Sequence, residues 1–195
     1  MPRPRAIDLT ADSITWRRVP MPGAELGLDL VPLESDGDTF TILARFPAGF
    51  VRDTPGGYLA AEEFFVLDGH LEFEGEVHGP GELTHVPARF LRTRMQAPQG
   101  CTALAWFGGP AIFRTPEEIG PTAAEPIISV DVRSGLRGEV LLTSEARWRI
   151  TTVDDWPEGA EAFDLAGTRW ARAAADWPGE PPSGDIMVRE PVARG

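Results

Sequence analysis

Two adjacent carboxylates, Glu62 and Glu63, open the apolar run "EEFFVL", and such a placement demands chemistry. In an extended strand successive side chains face opposite ways, so Glu62, Phe64 and Val66 share one face while Glu63, Phe65 and Leu67 share the other. Both faces turn apolar after the acids, which predicts a strand buried on both sides with one Glu carried into the interior. A carboxylate there needs hydrogen bonds, a cation or a proton. Further along, Arg92, Arg94 and Gln96 alternate in "LRTRMQ". On one face of one strand they would offer two planar donor forks suited to a carboxylate or phosphate. Tyr58, the only tyrosine, precedes Glu62 by one short segment and is positioned to offer a hydroxyl to the same space. The histidines are His70, His78 and His85, with no pair spaced as a local metal-ligand motif. His85, in "ELTHVP", is the one that could point inward. Glu62 and His85 are therefore the candidate proton-moving groups.

The remaining composition narrows the chemistry. The 195 residues carry a formal net charge of −12, so the average surface repels nucleic-acid backbones and anionic lipid, and neither is expected as a partner. Every basic residue other than histidine is Arg, which removes Schiff-base lysines and the phosphate-loop lysine. Cys101 is the single cysteine, lies in the apolar "CTALAWF", and reads as a buried, inert thiol with no intrachain disulfide. The serines lack a nucleophile-elbow context. The first residues, "MPRPRAIDLT", do not resemble a signal peptide, and no stretch is apolar for long enough to span a bilayer. A cytoplasmic protein is the expectation.

These residues need a scaffold of strands. From Ile14 to about Phe113 the chain alternates short β-rich runs with Gly, Pro and Asp signals, the pattern of an all-β sandwich or barrel. "SDGD" and "LDGH" contain Asp-Gly, the dipeptide suited to tight hairpins. "RTPEEIG" predicts one helical turn capped by Thr115, with Pro116 in its first turn. Beyond it, "IISVDV", "EVLLT" and "RWRITTV" predict further strands. "TRWARAAADW" predicts a short helix, with Trp170, Ala173, Ala174 and Trp177 at one-face spacing.

The spacing resembles that of the cupins, small antiparallel jelly-roll barrels also called double-stranded β-helices. Their first motif runs Gly, five residues, His-x-His, four residues, Glu, six residues, Gly, and Gly49, Glu62 and Gly69 fall in register with it. Gly81 and Pro87 fit the opening of their second motif, and "FPAGF" and "APQGCTALAWF" are similar to cupin phrasing. The resemblance implies a cupin domain over residues 1–115 and a C-terminal extension of extra strands over 116–195, packing on the barrel or on a dimer mate, or forming a degenerate second cupin half. Over the barrel alone the chain also resembles the cupin modules of anti-sigma factors. Cupins are often dimers, so a homodimer is expected.

The departures from the family pattern carry the functional reading. Pro55 and Gly57 stand where the first two ligand histidines belong, and Arg92 stands at the third. Arg89 replaces the second motif's Gly, and Gln96 its Asn. Of the three His and one Glu that hold the family's divalent metal, only Glu62 remains, so the expected cofactor is none. The alternative is a divalent metal with atypical ligands. Because the third ligand faces the Glu across a cupin cavity, the resemblance implies an Arg92–Glu62 ion pair in the metal's place. The expectation is a cupin that binds a small, possibly anionic molecule through Tyr58, Glu62, His85, Arg92, Arg94 and Gln96. Two alternatives stand beside it: a metal-independent isomerase, epimerase or lyase using Glu62 with Arg92 and Arg94, and a dioxygenase with unusual metal ligands.

Overall fold

The computed structural model describes residues 6–152, 156–173, 182 and 184–192. In chain order the first strands are β1 (Ala6–Asp8), β2 (Arg17–Val19), β3 (Leu28–Asp36), β4 (Thr39–Phe46), β5 (Phe50–Arg52), β6 (Gly57–Tyr58) and β7 (Glu62–Gly69). β8 (Leu71–Phe73), β9 (Glu76–His78), β10 (Glu82–Val86), β11 (Met95–Ala97), β12 (Cys101–Phe107) and β13 (Phe113–Arg114) follow. After α1 (Pro116–Ile119) come β14 (Ile128–Asp131), β15 (Gly138–Leu142), β16 (Ala146–Thr151), β17 (Glu161–Asp164), β18 (Arg169–Arg172) and β19 (Ile186–Pro191). The strand-rich, all-β reading of the sequence is what the chain adopts.

Two compact units share these elements: Thr15–Asp131, and Met1–Ile14 with Val132–Gly195. The first holds a seven-stranded antiparallel sheet in the order β14-β10-β7-β12-β4-β3-β2. A four-stranded sheet, β5-β11-β8-β9, and the pair β13-β6 complete it. This unit runs past residue 115 because β14 pairs with β10 along Glu82–His85. The second unit is a six-stranded sheet, β1-β18-β17-β19-β16-β15. Ala6–Asp8 belongs to it through its pairing with Arg169–Ala171.

The first unit is a jelly roll because its long strands change sheets at corners. β7 pairs with β10 and β12 in the large sheet, whereas β8, one residue later, pairs with β9 and β11 in the small one. The Asp68-Gly69 dipeptide is therefore the corner between sheets, and the hairpin expected there is corrected. Gly69 has φ 73°, and a Cβ on it would lie 2.3 Å from the Gly100 carbonyl oxygen, so the corner requires glycine. The tight hairpin lies five residues on. Phe73 pairs with Glu76, leaving Glu74 and Gly75 as a two-residue loop with φ 50° and 87°, the left-handed pair of a type I′ turn. Asp36-Gly37, by contrast, does turn β3 into β4.

Between the sheets lies one apolar core that includes Phe46, Phe50, Phe64, Val66, Leu71, Phe73, Met95 and Phe107. α1 is the single turn that the sequence predicts. The Thr115 N–H donates to the Glu118 carboxylate at 3.1 Å, and Ile119 is fully buried. The helix expected over 168–177 is corrected where it can be seen: residues 169–172 form β18. That strand is hydrogen-bonded on both sides by β1 and β17, and the two ladders outweigh the helical spacing of its Trp and Ala residues. Ala174 and Trp177 lie outside the described residues.

Candidate functional site

The space between the two sheets of the jelly roll is a cavity of about 240 Å³. Its wall is mostly apolar: Phe40, Phe46, Phe64, Phe73 and Phe107, with Leu28, Leu30, Ile42 and Met95. Ala44, Ala103 and Ala105 are small enough to leave the centre open, and Pro20, Met21 and Pro22 border it. Phe40 stacks on Phe107 at 4.7 Å, and Tyr58 meets Phe107 edge-on at 5.6 Å, so the aromatic wall is held by its own contacts. The polar groups on this wall come from Tyr58, Glu62 and Arg92.

Sheet register puts these groups together. In β7, Glu62 and Phe64 face the cavity, and their partners on β10 are Val86 and Thr84. Arg92 enters from the chain between β10 and β11, where it bridges Gly56 through two backbone hydrogen bonds of 3.0 and 2.7 Å. Its Nη1 lies 2.5 Å from Glu62 Oε2, which is the ion pair the resemblance implies. The guanidinium also lies over the Tyr58 ring at 4.6 Å and near Phe73 at 5.5 Å, a cation–π arrangement typical of Arg. Burial pushes the Tyr58 phenol above its ordinary value, with Arg92 pulling the other way. Glu62 lines the cavity, and its Oε1 has no hydrogen-bond partner among the described residues.

Three expected site residues lie elsewhere. His85 pairs across the sheet with Glu63, so it stands on the face of β10 opposite the cavity, where its Nδ1 is 3.8 Å from Glu63 Oε1. Arg94 is exposed and Gln96 is half-buried, facing away from the cavity. Arg94 spends its Nε and Nη2 on Gln96 at 3.3 and 2.9 Å, and Gln96 in turn bonds Glu72. The shared face expected for Arg92, Arg94 and Gln96 fails for a local reason. The Glu74 carboxylate accepts the Thr93 and Arg94 backbone N–H groups at 2.6 and 2.9 Å and the Thr93 hydroxyl at 2.8 Å. That clasp holds residues 93–94 out of the strand, and alternation resumes one position later with Met95 and Ala97 inward.

The family's metal would meet a poor donor set here. Among the described residues no group of three or more His, Cys, Asp or Glu side chains is placed to hold a metal ion. Glu62, the carboxylate that the cupin spacing places at a ligand position, is already engaged by a guanidinium. Gly57 is more restrictive still: a Cβ there would sit 2.3 Å from the Phe90 carbonyl oxygen and 2.6 Å from Ile119 Cδ1. Main chain fills the direction in which a ligand imidazole would have to leave the strand. The residues present therefore do not fit the group.

One buried residue at this end of the barrel escaped the sequence reading. Arg52, in β5, has 0 % of its surface exposed, and its Nε, Nη1 and Nη2 have no hydrogen-bond partner among the described residues. Its Cζ lies 4.9 Å from the centre of the Phe113 ring. The available sequence signal was slight: Phe50 and Arg52 share a face in "FVR", so a buried Phe50 implies an inward Arg52.

No family model matches the chain, and no curated protein matches it in sequence. Its structure is similar to solved ones. A proposed dioxygenase from Nostoc punctiforme superposes with a TM-score of 0.71 at 15 % identity, over 97 % of this chain and 83 % of that one. A proposed glyoxylate-induced protein from Pseudomonas aeruginosa gives 0.56 at 11 % identity, over 97 % and 89 %. Protein Ylba from E. coli gives 0.53 at 14 % identity, over 95 % and 82 %. The fold these neighbours share with this chain is the cupin fold. At such identities the likeness concerns fold, and the chemistry must be argued from this chain's own side chains.

Proposed function

We propose that the barrel binds a small molecule with an apolar body, held in the cavity with its polar end toward Glu62, Arg92 and Tyr58. The observation that carries this reading is the cavity itself: about 240 Å³ of space with an aromatic and aliphatic wall, and polar groups gathered at one place on it. Such a site orients one end of a ligand and buries the rest. A sensor, a carrier or an enzyme could each use it.

Thermal-shift screening of small organic acids and their neutral analogues tests the proposal. The expected result is a saturable rise in melting temperature that disappears in Ala103→Leu, where the added side chain fills the space. A rise that persists undiminished in Ala103→Leu would place binding outside the barrel and sink the reading.

A metal-independent isomerase, epimerase or lyase is the second reading, favoured by Glu62 lining the cavity with an Oε1 that has no hydrogen-bond partner among the described residues. In it Glu62 moves a proton and Arg92 holds a developing oxyanion. Its signature is a ligand that Glu62→Gln still binds and no longer converts.

A further inference from the structure

The charges on the cavity wall cancel. Among the described residues that line it, Glu62 and Arg92 are the ionised ones, and they are joined at 2.5 Å. Tyr58 adds a phenol that burial pushes above its ordinary value, so at neutral pH it is protonated and uncharged. Beyond the lining the balance continues. Arg52 feels the charges of Arg92, Glu62 and Glu74, which sets the two guanidinium groups of Arg52 and Arg92 against the two carboxylates of Glu62 and Glu74.

The pair on the wall is also held in place. Arg92 is buried, its main chain is bridged to Gly56, and its guanidinium lies over the Tyr58 ring at 4.6 Å. A ligand carboxylate could reach it only beside Glu62, where like charges repel, or by displacing Glu62 and leaving that carboxylate without its cation. A ligand ammonium meets the mirror-image difficulty at Arg92. Inside an apolar enclosure either ion would bring an uncompensated charge out of water, which is costly. The two donor forks that the sequence suggested would favour an anion, but Arg94 is exposed and Arg92 is matched.

What the wall does offer is hydrogen bonding of both senses. An ionised Glu62 only accepts, Arg92 only donates, and the Tyr58 hydroxyl does either. Arg92 Nη1 and Glu62 Oε2 satisfy each other, while Glu62 Oε1 has no hydrogen-bond partner among the described residues. A neutral head group with a donor beside an acceptor matches such a wall. A primary amide is the simplest example, since its carbonyl oxygen accepts and its N–H groups donate. We propose that the cavity selects an uncharged ligand whose polar end sets a donor beside an acceptor, as a primary amide does, and disfavours the corresponding carboxylate and ammonium ions. This inference rests on the cavity-binding reading and adds to it the ligand's charge and the pattern of its head group.

The test uses the intact chain at neutral pH and three probes of one shape, benzamide, benzoate and benzylammonium, by calorimetric titration. Expected is tighter binding of benzamide than of either ion by about tenfold or more, the effect of leaving a buried charge uncompensated. The variants reverse the sign. Glu62→Gln leaves Arg92 unmatched and should shift the preference toward benzoate by about tenfold, and Arg92→Gln should shift it toward benzylammonium by a similar factor. Arg94→Met, at the exposed position, should leave the parent order intact. Should neither cavity variant fold, the parent order decides: an ion that binds as tightly as benzamide overturns the proposal and leaves cavity binding standing. A benzamide preference unchanged in a folded Glu62→Gln or Arg92→Gln also overturns it, because charge would then not be what selects. If none of the three probes binds, or if binding persists undiminished in Ala103→Leu, the cavity reading itself falls.

Discussion

Glu62 and Glu63 are neighbours in sequence and inhabit opposite faces of one strand. Glu62 borders an open cavity and holds Arg92 at 2.5 Å, while Glu63 is buried on the other face beside His85, in register with Trp106. The first face is lined in part by alanines and remains hollow; on the second, Phe65, Leu83, Leu104 and Trp106 are fully buried. Identical residues thus acquire different surroundings from parity alone: one carboxylate borders open space and the other is enclosed by packed side chains.

That contrast breaks most sharply at the ion pair. Glu62→Gln leaves the buried Arg92 guanidinium without its carboxylate and should cost about 3–5 kcal/mol in urea unfolding. Arg92→Gln should cost less, because Glu62 then remains as counter-charge in the field of Arg52. If Arg92→Gln proves the more damaging, the charge balance assigned to this end of the barrel is wrong. Second in size is the closed ligand position. Gly57→Ala should destabilise by about 1–3 kcal/mol, the range for forced overpacking, because its Cβ meets a carbonyl oxygen at 2.3 Å. Pairing Gly57→His with Pro55→His should yield no stoichiometric zinc or nickel by elemental analysis.

A finer comparison sets the two acids side by side. Glu63→Gln should leave the affinity for cavity probes unchanged within about twofold, an effect of less than ~0.5 kcal/mol, whereas Glu62→Gln should alter it measurably. Smallest is the alkaline limb of stability. Burial raises the Cys101 thiol to about 12, with Asp68 adding to the effect, and burial likewise raises the Tyr58 phenol. An unfolded thiol loses its proton near 9.0 while the folded one keeps it, so the unfolded state binds fewer protons and stability falls as pH rises from 9 toward 12. Cys101→Ala should flatten that slope, read from melting temperatures across the range; a slope unchanged by the substitution would mean that other groups set it.

Much of the barrel was legible because jelly-roll strands announce themselves through alternation and glycine spacing. Glu62 opposite Arg92 was legible through the cupin resemblance, since motif spacing carries cavity geometry with it. Arg94 and Gln96 misled because parity was read through residues 93–94, where Glu74, distant in sequence, gathers two backbone N–H groups and resets the alternation. His85 lay one residue from the inward face. β18 disguised itself with helical spacing because its pairing partners, β1 and β17, come from separate parts of the chain. Arg52 stayed hidden for a simpler reason: nothing in "FVRD" says that a cation will be buried with no hydrogen-bond partner among the described residues.

The close approach of Phe90 and Ile119 to Gly57 has a consequence for redesign. Installing a metal in this barrel by exchanging side chains meets an obstacle made of backbone, which no rotamer choice relieves. The accessible route remodels length: the segment carrying Phe90, or the turn ending in Ile119, must first be moved outward. As built, the barrel is far easier to reshape by exchanging cavity side chains than to convert into a metalloenzyme.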